Sequence, residues 1–177
     1  MDTKENQTLT NQKGDIPMTA EITIESKAFG NNQTIPRKYS AEGENCSPPL
    51  AWSAIPDGTK EMALIMDDPD APTAEPWVHW VIYNITAEGA GLPENVSKQE
   101  KPANPPGAKQ GVNTGGQIGY YGPLPPKGHG VHHYHFKIYA LKESLDLKPG
   151  IDKKTLLHAM SNKIIGEGDL IGTYERK

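Results

Sequence analysis

Four of the protein's six histidines, His129, His132, His133 and His135, fall within seven positions, directly after the segment Gly122-Pro123-Leu124-Pro125-Pro126-Lys127-Gly128. Histidine changes charge near neutral pH and serves as proton carrier, anion partner or metal ligand. If His132 opens a strand, alternation places His132, Tyr134, Phe136 and Ile138 on one face and His133, His135, Lys137 and Tyr139 on the other. The apolar company marks the first face as the inner one. His132 and Tyr134 are then polar groups at the rim of a core, beside a Gly/Pro loop that lets a ligand approach the backbone. On the outer face, His133 and His135 have the H-x-H spacing that suits zinc or copper. No further ligand is identifiable, and neither a metal nor a cofactor is expected.

The carboxylates that can complement these histidines lie in Asp67-Asp68-Pro69-Asp70-Ala71-Pro72, at the end of the apolar run Met62 to Met66. Extended geometry sends Asp68 and Asp70 to the side of Leu64 and Met66, and the prolines stiffen the turn. A third element is Trp77 to Ile85, in which strict alternation groups His79 with Trp77, Val81, Tyr83 and Ile85. A histidine in such a run needs a partner. A carboxylate from the Asp68 turn is expected to hydrogen-bond His79 and raise its pKa, favouring the imidazolium.

Carboxylates, two inward histidines, a tyrosine and a Gly/Pro loop together describe a small polar pocket in an apolar wall. Such a pocket suits a phosphate-bearing or zwitterionic head group. Histidinium, the tyrosine hydroxyl and loop N–H groups donate to phosphate oxygens, while Asp68 or Asp70 accepts from an ammonium. The competing reading is an acid–base hydrolase or lyase that uses Asp68, His79 and His132. No nucleophile is evident for it: the chain has no G-x-S-x-G elbow, no Walker lysine loop and no H-E-x-x-H helix motif. A third reading is a protein-interaction module with a vestigial pocket.

The elements that must position these groups are short. The chain has 177 residues, of which 18 are Gly and 16 Pro, with 35% hydrophobic residues. Each Gly or Pro inside a helix costs roughly 1 to 3 kcal/mol, so long helical bundles are excluded. Strands are expected at Ile22 to Glu25, Leu50 to Ile55, Met62 to Asp67, Trp77 to Ile85, Tyr134 to Leu141 and Leu170 to Tyr174. One amphipathic helix is expected over Asp152 to Ile165, capped by Asp152, ended by Gly166 and packed on the edge or end of a sheet. The interval Gly89 to Gly130 holds 10 Gly and 7 Pro, half of the chain's Gly and Pro counted together, and reads as ordered loops of one domain. The polar residues 1–17 read as a disordered tail, and 18–177 as the single folded domain.

The net charge of −4 and scattered lysines give no nucleic-acid footprint. The lone Cys46 excludes an internal disulfide and any Cys-rich zinc site. No segment reaches the roughly 18 consecutive apolar residues of a membrane span, and the N-terminus lacks a basic-then-apolar leader, so a cytoplasmic address is expected. A homodimer is compatible with the sequence, which does not decide it.

Four strings stand in order along the chain: Asn45-Cys46-Ser47-Pro48-Pro49-Leu50-Ala51-Trp52; Asp68-Pro69-Asp70-Ala71-Pro72; Val78-His79-Trp80-Val81; and Gly119-Tyr120-Tyr121-Gly122-Pro123 with Pro125-Pro126 and His132-His133-Tyr134. Together they resemble the phosphatidylethanolamine-binding protein family, specifically its bacterial and archaeal Raf-kinase-inhibitor-like members. The resemblance implies a mainly β protein, a β-sandwich with Greek-key connections, long Gly/Pro loops and one or two peripheral helices. It implies a ligand pocket at Asp68, Asp70, His79, Gly122, Pro123, Pro126, His132 and Tyr134. It also implies a binder or regulator rather than an enzyme, of a lipid head group or another anionic ligand, with a protein kinase or other regulatory protein as the partner class. Two departures stand out: His133 replaces an arginine common after the pocket histidine, and the chain stops soon after Tyr174, so the C-terminal lid helix of animal members is not expected.

Overall fold

The computed structural model describes residues 19–177, so the expected tail at 1–17 lies outside the described residues. Among the described residues there are two sheets. The large one contains β1 (Ala20–Glu21), β3 (Gln33–Thr34), β5 (Glu61–Asp68), β6 (Trp77–Thr86), β8 (Lys109–Gln110), β9 (His132–Leu141) and β10 (Ile164–Tyr174). Its order is β1-β10-β9-β5-β6-β8, with β3 also on β10. The small sheet joins β2 (Thr23–Glu25), β4 (Leu50–Ser53) and β7 (Gly91–Leu92). One α-helix, α1 (Lys153–Met160), and a 3-10 turn at Arg37–Tyr39 complete the elements.

The expected first strand is split. The chain changes sheets at the buried Ile22, whose N–H still bonds Glu167 O at 2.8 Å in the large sheet. Ile24, Leu50, Trp52 and Leu92 from the small sheet then share one core with Met62, Leu64, Met66, Phe136 and Ile138 from the large one. A second core lies on the other face, where Ala63, Ile65, Val81 and Tyr83 meet Leu156 and Met160 of α1. The helix thus covers a sheet face, not an edge or end as expected.

The helix is also shorter than its periodicity suggests. Asp152 caps it, accepting from Thr155 N at 2.8 Å, but it stops at Met160. Asn162 takes φ 64, a left-handed conformation that Asn tolerates, and Lys163 N bonds Met160 O at 2.9 Å to close the turn. Ile164 and Ile165 belong instead to β10, which starts well before the expected Leu170. Its glycines hide it from a propensity reading because they serve close approach. A Cβ on Gly168 would lie 2.1 Å from Ile22 O, and one on Gly172 would lie 2.5 Å from Ile35 Cγ1. Gly166, expected to end the helix, lies within β10 against Pro56.

These layers bring the ends of β5, β6 and β9 together. β9 pairs with β5 in continuous antiparallel register from Leu141 opposite Glu61 to His135 opposite Asp67. The start of β9 therefore stands beside the carboxylates that close β5.

Candidate functional site

Strand β9 runs without a bulge against β5, so its alternation is strict: His132, Tyr134, Phe136 and Ile138 are all buried, while His133 is exposed and His135, Lys137 and Tyr139 are half-buried. Asp68, the last residue of β5, follows the inward side of Leu64 and Met66. His132 Nδ1 meets Asp68 Oδ2 at 2.7 Å, with the two residues 1% and 3% exposed. A carboxylate only accepts, so His132 donates from Nδ1. The other oxygen, Asp68 Oδ1, accepts the Asp70 N–H at 2.9 Å.

His79 reaches the same pocket by a different route. The β5–β6 register slips between Met66 opposite Trp80 and Asp67 opposite Val78, leaving His79 as the extra residue of a β-bulge. A bulge breaks alternation and re-aims the side chain. Trp80 faces the inter-sheet core and Val81 and Tyr83 face α1, so His79 does not share a face with Val81 and Tyr83 as expected. Its ring stands between Trp77, with centroids 4.5 Å apart, and Tyr134, edge-on at 5.1 Å.

The expected pairing of His79 with Asp68 is not found. Asp68 is taken by His132 and the Asp70 N–H, and His79 Nδ1 instead donates to the Tyr121 carbonyl at 2.7 Å. Burial pushes its pKa down to about 4, outweighing the Tyr121 bond and the charges of Asp68 and Asp67 that pull it up. The expected imidazolium is thus a neutral ring, with its proton on Nδ1 and a bare lone pair on Nε2. His79 offers the pocket an acceptor.

Tyr134 completes the inner set. It is 0% exposed, and its hydroxyl is buried without a hydrogen-bond partner among the described residues. Burial, then the charges of Asp68 and Asp70 and an approach to the Asp68 carboxylate that falls short of hydrogen-bond geometry, hold the phenol far above its usual pKa, so it keeps its proton. A buried hydroxyl with no partner is costly unless something arrives to bond it.

The Gly/Pro loop follows Tyr121, the residue whose carbonyl holds His79. Gly122 N donates to Asn45 Oδ1 at 2.7 Å, from an Asn45 held at φ 54. A Cβ on Gly122 would lie 2.3 Å from Tyr39 O, so only glycine allows the loop to press this close. Pro123 O accepts from Ala41 N at 3.0 Å, Pro125 O from Arg176 Nη1 at 3.2 Å, and Pro126 O from His129 N at 3.1 Å. His129, in turn, puts Nδ1 2.7 Å from His132 Nε2.

Asp70 does not join the buried group. Beyond the end of β5, its Oδ2 accepts from both the backbone N–H and Nδ1 of exposed His133, at 2.8 and 2.7 Å. Burial raises the Asp70 pKa, but the His133 bonds and the charges of His133 and His132 carry it below the usual value. His135 Nδ1 is likewise committed to Asp169, at 2.7 Å. Among the described residues no three histidine, cysteine or carboxylate side chains cluster as a metal site. Sequence reasoning did not single out His129, Asn45, Trp77 and the Tyr121 carbonyl as site groups. His129 lies within the histidine cluster, Asn45 and Tyr121 within the strings that carry the family resemblance, and Trp77 directly before one of them.

A two-sheet β protein whose large sheet ends in a buried cluster of Asp68, His132 and Tyr134, with His79 beside it, is what the fold and the site define. Residues 25–175 match the family model described as phosphatidylethanolamine-binding protein. The chain belongs to that family. It is 48% identical to a UPF0098 protein of Pyrococcus horikoshii over 86% of this chain and 76% of that protein. With a UPF0098 protein of Methanothermobacter thermautotrophicus it shares 46% identity over 88% of this chain and 99% of that one. Among solved structures, Escherichia coli YbcL, titled a new member of the mammalian PEBP family, superposes with TM-score 0.82 and 33% identity, covering 89% of this chain and all of YbcL (100%). A phosphatidylethanolamine-binding protein of Plasmodium vivax, at TM-score 0.55 and 16% identity over 93% of this chain and 91% of its own, shares the fold. Among the described residues no helix is long and apolar enough to cross a membrane.

Proposed function

We propose that this protein binds a small phosphate-bearing or otherwise anionic head group between His132, Tyr134, His79 and the 122–126 loop. The observation that carries the reading is the Tyr134 hydroxyl, buried and unpartnered between two imidazoles. The Tyr134 hydroxyl is a donor to an oxyanion, and so is His132 Nε2 when that ring carries a proton on both nitrogens. His79 Nε2 and the Asp68 carboxylate are acceptors. The mixture suits a ligand that brings its own proton, such as a phosphate monoester monoanion or the ammonium of phosphoethanolamine.

Calorimetry with inorganic phosphate and phosphoethanolamine tests this. The wild type binds. Asp68→Ala and His132→Ala abolish binding, and Tyr134→Phe, which keeps the packing, weakens it about 10-fold. Unchanged affinity in all three folded variants would overturn the reading. Within the same proposal, occupancy is passed to a partner protein, a kinase among them, through the exposed turn that follows the 122–126 loop; a pull-down sensitive to Tyr134→Phe tests that step.

The hydrolase or lyase reading has one observation in its favour, the chain Asp68–His132–His129 leading from a buried carboxylate to an exposed imidazole. It is a path for a proton. Turnover of a phosphoester that disappears in His132→Ala would favour that class over binding alone.

A further inference from the structure

Both ring nitrogens of His132 are occupied. Nδ1 is committed to Asp68 and Nε2 to His129 Nδ1, each at 2.7 Å, with the two imidazole rings 4.9 Å apart and inclined at 60°. Nε2 is therefore the one position on His132 from which a ligand can be bonded, and His129 stands in it. One ring is buried and the other exposed, so the contact closes the pocket from the solvent side.

Gly128 and Gly130 flank His129 at φ 72 and φ 91, and a Cβ on either would meet nothing within 4 Å, so the turn has open space on the side its glycines face. Left-handed glycines on both sides give two soft points about which a single residue can swing. The backbone bonds at the near side, Gly128 N to Arg176 O and His129 N to Pro126 O, both 3.1 Å, hold the backbone of the turn rather than the His129 ring. What holds the ring is its bond to His132.

Resting on the anion-pocket reading, we propose that His129 is a displaceable cap: with His132 protonated on both ring nitrogens, its Nε2 donates to His129 Nδ1 in the empty protein, and an entering oxyanion replaces His129 as the acceptor as His129 swings outward. The exchange is balanced in hydrogen bonds. His132 swaps one partner for another, the freed His129 ring is solvated, and the oxyanion gains the Tyr134 hydroxyl that no protein group satisfies. The cap makes the empty pocket tolerable and sets a threshold for occupancy.

The test uses the full chain and two probes, inorganic phosphate and phosphoethanolamine. His129→Ala removes the competitor at an exposed position and is expected to bind phosphate about 3- to 10-fold tighter than wild type, the range of one modest hydrogen bond. In wild type, the side-chain nitrogen resonances of His129 are expected to move to solvent-exposed values as phosphate is added. Unchanged affinity in His129→Ala, or a resonance that does not move on saturation, overturns the cap. Weaker binding overturns it also, and makes His129 a direct ligand. If wild type binds and Tyr134→Phe binds about 10-fold more weakly, but His129→Ala is no tighter than wild type, the cap fails and the pocket reading stands. If neither wild type nor His129→Ala binds either probe, both fail.

Discussion

His132 and Asp68 form a 2.7 Å pair at the end of the large sheet, supplied by antiparallel neighbours β9 and β5 and almost wholly buried. Removing one member of a buried pair leaves the other without its partner, at a cost of about 3 to 5 kcal/mol. Asp68→Ala and His132→Ala are each expected to lose that much stability in urea denaturation. The double variant should cost far less than their sum, with a coupling of about 3 kcal/mol. Additive losses would show that the two side chains act independently.

His79 gives the protein an acid-side weakness. Its folded pKa, pushed down to about 4 by burial, lies below the ordinary 6.5 of the unfolded chain. Protonation therefore favours unfolding. The stability held above pH 6.5 is lost as pH falls toward 4, by about 2 kcal/mol between pH 7 and pH 5. In His79→Asn that part of the slope should vanish. Denaturation at the two pH values, wild type against variant, measures it, and identical slopes would refute a neutral His79.

How much of this site was legible in the sequence depends on where period-two alternation holds. Along β9 it holds throughout, so the inner placement of His132 and Tyr134 and the outer placement of His133 and His135 follow from the residue string alone. In β6 it fails at the bulge, and a single extra residue moves His79 away from Val81 and Tyr83. Asp70 lies past the strand end, where alternation carries no information. The part of β10 before the expected Leu170 was hidden for another reason: Gly166 and Gly168 make room for Pro56 and Ile22, contacts that exist only once the fold is formed. The same is true of His129, whose partner is set by a turn conformation and not by spacing.

Tyr134→Phe should separate stability from binding. The hydroxyl has no partner among the described residues, so deleting it removes a desolvation penalty and loses no protein hydrogen bond. Thermal and urea unfolding are expected to show an unchanged or slightly raised stability, by about 1 kcal/mol. A loss of more than about 1 kcal/mol would mean that the hydroxyl is bonded in the folded protein and would remove the main support for the pocket.

At the far end of β5, Glu61 offers a second prediction about buried protons. Asn84 Nδ2 donates to Glu61 Oε2 at 2.8 Å, while Glu61 Oε1 and Asn84 Oδ1 are both buried without partners. Two orphan acceptors on residues already joined by one bond are satisfied together if Glu61 carries a proton and donates it back to Asn84, closing a cyclic acid–amide pair. Burial raises the Glu61 pKa, against the lowering pull of the nearby Leu145 backbone, Asn84, Lys109 and Ser144, in the direction that this pairing requires. A raised carboxyl pKa contributes stability that is complete below the ordinary carboxylate range and fades as pH rises through the folded value. Glu61→Gln places an N–H where the proton would be. It should therefore be more stable than wild type at pH 8 by about 1 kcal/mol, an advantage that shrinks toward pH 4. An advantage that does not change with pH would show that Glu61 is ionised throughout.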